Sequence, residues 1–160
     1  MAKVKTNALR RLDQQRISYE LLQYNPEDGK IDGVSVAEKI GESPRYVFKT
    51  LVTISPSKNL YIFIIPVAAE LDLKRAARVA GEKKVELLPV ADLQKYTGYI
   101  RGGCSPVGMK KQYRTFIDKQ AEELNVIIVS AGKIGLQMKM RAEDLLNVTN
   151  GQMATLISEK

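Results

Sequence analysis

Val47-Phe48-Lys49-Thr50-Leu51-Val52-Thr53-Ile54, followed five residues later by Leu60-Tyr61-Ile62-Phe63-Ile64-Ile65, is the stretch on which the fold turns. Both runs are rich in β-branched and aromatic residues and apolar on both faces. Between them, Ser55-Pro56-Ser57-Lys58-Asn59 is dense in turn formers. The pattern predicts two central strands joined by a hairpin loop.

Working upstream, Val4, Ala8, Leu9 and Leu12 recur at helical spacing and predict an amphipathic helix over 5–16. Residues 18–24 read as a strand and Asn25-Pro26-Glu27-Asp28-Gly29 as a loop. Ser35-Val36-Ala37-Glu38 matches a capping box opening a short helix, with Gly41 placed to end it. Downstream, a helix over 71–80 stops at Gly81, a short strand covers 84–88, and a second helix covers 90–96. The Gly- and Pro-rich segment 98–108 reads as a loop. Strands follow at 114–118 and 125–130, with a helical turn between them. Residues 131–140 begin as a turn and continue as a strand, 141–148 form a helix, and the tail carries a short strand at 154–157. Helices and strands mix without βαβ alternation. The expectation is therefore an α+β fold with a mixed, largely antiparallel sheet and surrounding helices.

Composition narrows the chemistry. The chain of 160 residues fits one domain, 1–160, and its 44% apolar and 27% charged residues suit a soluble globular protein. Its longest apolar run, Leu60 to Ala69, is half the ~20 residues a membrane-spanning helix needs. The basic start Met-Ala-Lys-Val-Lys lacks the apolar stretch of a secretory signal, so a cytoplasmic location is expected. The net charge of +7 gathers at Arg10, Arg11 and Arg16, at Lys74, Arg75 and Arg78, and at Lys110, Lys111 and Arg114. These clusters read either as an anion-binding surface or as a solvated face. Histidine is absent and cysteine occurs once, as Cys104. That excludes Ser-His-Asp and Cys-His nucleophile systems, His-ligated metals and an internal disulfide.

Three segments carry candidate chemistry. Lys49 lies mid-strand between Val47 and Leu51, where an ammonium is desolvated unless it meets an anion, opens into a cleft, or snorkels from an edge to water. In Gly102-Gly103-Cys104-Ser105-Pro106-Val107-Gly108, paired glycines let backbone amides approach a ligand, although the pattern alone favours a structural tight turn. It is neither a Walker loop nor a GxGxxG motif. Cys104 has no histidine to activate it and reads as a buried structural thiol. Val126-Ile127-Ile128-Val129-Ser130-Ala131-Gly132 delivers a hydroxyl and small residues to a strand end, a setting equally met where a strand simply enters a turn.

Taken together, Phe48-Lys49-Thr50-Leu51-Val52, Leu71-Asp72-Leu73-Lys74-Arg75-Ala76-Ala77, Lys83-Lys84-Val85-Glu86, the segment from Thr97 to Gly108 and the segment from Val129 to Leu136 resemble, in order, the YbaK/EbsC family. That family is related to the editing domain of prolyl-tRNA synthetases. Ala131 and Ile134 stand where its members often carry Gly and a second basic residue. The resemblance implies a partly barrel-like sheet and a substrate cleft holding Lys49, with Tyr24, Gly102 and Ser130 around it. It assigns Lys49, Gly102 and Ser130 to catalysis, and Tyr24, Phe48, Gly103, Ser105, Pro106 and Gly132 to substrate binding. The implied activity is hydrolysis of mischarged aminoacyl-tRNA, chiefly Cys-tRNA(Pro), without metal or cofactor and often alongside prolyl-tRNA synthetase. In the Cys-specific members the substrate thiol attacks its own ester, and amides at Gly102 and Gly103 are candidate oxyanion donors. Two alternatives are a relative that uses bound water on Ala-tRNA(Pro) or another small amino acid, and a non-catalytic RNA-binding module.

Overall fold

A computed structural model describes residues 5–158 of the chain. The predicted central hairpin is β2 (Phe48–Ile54) paired antiparallel with β3 (Leu60–Pro66), Lys49 facing Ile65 across it. Beyond it lie β4 (Glu86–Leu87), β5 (Arg114–Asp118) and β8 (Gln152–Ala154), in the order β4-β2-β3-β5-β8. β5 runs parallel to both its neighbours, β3 and β8. A second sheet orders β1 (Glu20–Gln23), β7 (Leu136–Arg141) and β6 (Val126–Lys133), all antiparallel. The fold is thus α+β with mostly antiparallel pairing. Neither sheet closes into a barrel; a parallel bridge between Val47 and Ile128 joins the two.

The two-sided apolarity of β3 has a direct cause. Ile62 and Ile64 enter the larger core, which also holds Leu9, Leu12, Phe48, Ile127, Val129 and Met138. Tyr61, Phe63 and Ile65 enter a second core under α3 (Leu73–Ala80), where Phe63 stacks on Phe116 at 5.3 Å between ring centroids. Strand residues alternate faces, so a strand between two cores has no polar face.

Several boundaries differ from expectation. α1 spans Asn7–Gln14 with Thr6 as its cap, and Val4 lies outside the described residues. α2 (Gly33–Lys39) is capped not by Ser35 but by Asp32, whose carboxylate accepts from the Ser35 amide at 3.1 Å and its hydroxyl at 2.7 Å. A carboxylate makes the stronger, charge-assisted acceptor, so Ser35 falls inside the helix as a donor. Gly41 does terminate it, with φ +73°. α4 (Val90–Thr97) and α5 (Ala142–Val148) stand near their expected places. β6 runs past Ala131 to Lys133, interrupted by a bulge between Ser130 and Lys133, because pairing with β7 extends the strand through the small residues. The last strand forms at Gln152–Ala154, while Ile157 makes an isolated bridge to Leu71.

Candidate active site

β2 passes the seam between the sheets, and Lys49 and Thr50 are among the residues that line a cleft of about 110 Å³ there. The opposite wall comes from Ser130 on β6 and Gln137 on β7, which pair in register. Gly102 and Cys104 border it from the long loop after α4, and Ile31 and Gly33 from the start of α2. Ligand clefts for drug-sized molecules run ~300–1,000 Å³; this one suits a small acyl group.

Lys49 is half-buried, and burial pushes its ammonium below the ordinary lysine range. Glu70 opposes the shift through space. Cys104 lies in the wall with its thiol pushed up to about 12 by burial, so it stays protonated at neutral pH. Lys49 and Cys104 are the titratable groups among the lining residues; no carboxylate lines the cleft. The Thr50 hydroxyl is buried without a hydrogen-bond partner among the described residues. Such a group is costly unless a ligand satisfies it. The Ser130 hydroxyl accepts from the Gly132 amide at 3.2 Å, which leaves its own proton to donate.

The structure brings Lys49, Phe48, Gly102 and Ser130 together in one cleft, Phe48 as a wall that also belongs to the core. The other expected residues sit behind it. The Gly103 amide donates to the Ile100 carbonyl at 3.0 Å and is not free to bind an oxyanion, whereas the Gly102 amide has no acceptor among the described residues. A Cβ on Gly103 would lie 2.9 Å from the Ile134 amide nitrogen, so this glycine seats the loop on the β6–β7 turn. Ser105 is fully buried, its hydroxyl accepting from the Val107 amide, and Pro106 lines a different concavity. Gly132 forms the bulge against the Tyr99 ring. Tyr24 is buried outside the lining, its hydroxyl without a hydrogen-bond partner among the described residues and Lys39 Nζ 5.7 Å from its ring centre. Sequence reasoning missed Thr50, Gln137, Ile31 and Gly33. The amide of Gln137 among Leu136, Met138 and Met140 was the available signal for one of them.

Residues 32–148 match the model of the aminoacyl-tRNA editing domain, and the chain belongs to that family. Among its relatives is a protein of Enterococcus faecalis (strain ATCC 700802 / V583), EbsC, named as a Cys-tRNA(Pro)/Cys-tRNA(Cys) deacylase. It is 43% identical over 156 residues, covering 98% of this chain and 95% of the relative. The fold is shared with a solved structure described as a trans-editing enzyme for prolyl tRNA synthetase (TM-score 0.83, 20% identity, 98% of this chain and 100% of the other). It is also shared with hypothetical protein APE2540 (TM-score 0.87, 19% identity, 96% and 100%). No helix among the described residues is long and apolar enough to cross a membrane.

Proposed function

We propose that the chain is a cytoplasmic trans-editing hydrolase that deacylates mischarged aminoacyl-tRNA, with Cys-tRNA(Pro) as principal substrate and Cys-tRNA(Cys) as a second. The observation that carries this reading is the absence of a carboxylate or imidazole from the lining of a cleft whose titratable groups are an ammonium and a neutral thiol. Such a cleft has little with which to activate water, so a nucleophile supplied by the substrate fits it best.

The substrate Sγ attacks its own ester carbonyl carbon, the ribose oxygen leaves with the thiol proton, and the cyclic thioester released is hydrolysed by water. Holding an internal nucleophile in near-attack geometry is worth about 7–11 kcal/mol at best. The free Gly102 amide is assigned to the developing oxyanion, where one donor contributes roughly 3 kcal/mol. Lys49 pairs with a phosphate of the terminal nucleotide as a point charge. Ser130 and Thr50 hold polar atoms of the aminoacyl group, and Phe48 bounds its side chain. Gly103, Ser105, Pro106 and Gly132 hold the walls in place, and Tyr24 supports the cleft from behind. Prolyl-tRNA synthetase, the source of the mischarged tRNA, is the proposed partner.

The test is deacylation of tRNA(Pro) carrying Cys, Ser or Ala. Rapid cleavage of the Cys ester with Ser and Ala spared supports attack by the substrate thiol. Comparable rates on all three esters would establish attack by bound water instead. No acceleration of any ester over buffer would leave an RNA-binding module.

A further inference from the structure

The loop that borders the cleft through Gly102 and Cys104 continues into a second concavity, of about 120 Å³, that has no part in the chemistry above. Its rim carries Arg11 from α1 together with Lys110 and Lys111, and no acidic residue lines it. Among the described residues none of these three cations has a carboxylate partner; Lys110 Nζ reaches only the Lys95 carbonyl, at 3.3 Å. Three uncompensated cations around one hollow set up a focused positive potential.

The hollow is also rigidly built. The Tyr99 hydroxyl donates to the Val107 carbonyl at 2.7 Å, and the Lys110 amide donates to the Thr97 carbonyl at 3.1 Å. The Gln112 side-chain amide donates to the Thr149 carbonyl at 2.6 Å. Gly108, at φ +79°, lies so close to the start of α1 that a Cβ would come within 2.8 Å of the Asn7 carbonyl carbon. That contact holds the lysine segment against the helix bearing Arg11. Walls fixed in this way hold the backbones of Arg11, Lys110 and Lys111 around one hollow, so their exposed side chains can converge on a single oxyanion.

We infer that this pocket is a phosphodiester site that seats one backbone phosphate of the tRNA near its acceptor end, using Arg11, Lys110 and Lys111. The inference rests on the tRNA-editing function proposed above and adds a defined docking point to it. Cys104 and Pro106 are two residues apart, a chain length of at most ~7 Å, so a phosphate held here braces the loop that borders the cleft.

The experiment compares Lys110→Gln with Lys111→Gln in one chain against Lys83→Gln with Lys84→Gln, an equal loss of charge on the connection between α3 and β4. The pocket pair should raise KM for aminoacyl-tRNA at least tenfold with kcat within twofold. It should also reduce the salt slope of tRNA affinity by about one, as expected for one lost phosphate contact. The control pair should change KM less than threefold. Equal effects of the two pairs, or none from the pocket pair, would overturn the inference. If the pocket pair melts early, Arg11→Gln on exposed α1 surface decides by the same criteria. Binding of uncharged tRNA, followed through the amide resonances of Gly108 to Lys111, separates this inference from the function on which it rests. A parent protein that cleaves no ester yet moves these resonances with tRNA retains the pocket and loses the function. Movement with inorganic phosphate but not with tRNA would assign the pocket to a free anion and overturn the inference.

Discussion

Val47 bridges Ile128 in parallel, and this single pairing sets the register of the candidate active site. Two residues further along each strand stand Lys49 and Ser130, which alternation places on the same side as the bridged pair. Beyond this isolated bridge the strands belong to different sheets, and both contribute residues to the cleft.

Lys49→Ala should lose at least a hundredfold in deacylation while remaining folded, since no direct ion pair holds Lys49 among the described residues and removing a half-buried ammonium relieves desolvation. Circular dichroism and single-turnover rates check the two halves of this statement.

The pH dependence follows from the same shift. Burial lowers the folded-state pKa of Lys49 below its unfolded value of 10.5, so between those two values the unfolded chain binds more protons. The destabilisation caused by the charge is therefore full below the folded pKa and fades as pH rises through it toward 10.5. The Tm advantage of Lys49→Met over the parent should shrink across that window, and comparing the two chains cancels the tyrosines. An advantage that grows with pH would contradict the assignment.

Cys104→Ala should deacylate within several-fold of the parent. A thiol held at about 12 leaves a negligible thiolate fraction at neutral pH, and the thiolate is the nucleophilic form. A thousandfold loss in a folded variant would restore a cysteine nucleophile.

Gly33→Ala should destabilise by about 1–3 kcal/mol through overpacking, because its Cβ would sit 2.3 Å from Val67 Cγ1 and 2.4 Å from Val67 Cβ. Gly33 is the first residue of α2, where alanine gains less than the ~1 kcal/mol of a helix interior, so propensity does not offset a clash this close. Adding Val67→Ala should recover part of the loss, so denaturation of the two single variants and the double variant should be non-additive.

Activity should survive exhaustive chelation. The chain has no histidine, and the described residues hold no group of three or more potential metal-ligating side chains. Loss on chelation with recovery on added Zn²⁺ would contradict this.

Local chemistry along the chain determined the central hairpin, the helices ended by Gly41 and Gly81, the mixed α+β class and the singular position of Lys49. Each depends on residues within a few positions of one another: alternation, turn formers and an isolated charge in an apolar run. The lack of histidine limited the chemistry in the same direct way. Tertiary structure decided what needs long-range pairing. It carried β6 through Ala131 and Gly132 by pairing it with β7. It also brought Gln137 of the second sheet into the same cleft as Thr50. A hydroxyl on a strand or an amide in a loop has the same local chemistry whether or not a distant segment supplies its partner. Only the contact between sheets that begins at Val47 and Ile128 makes these groups neighbours.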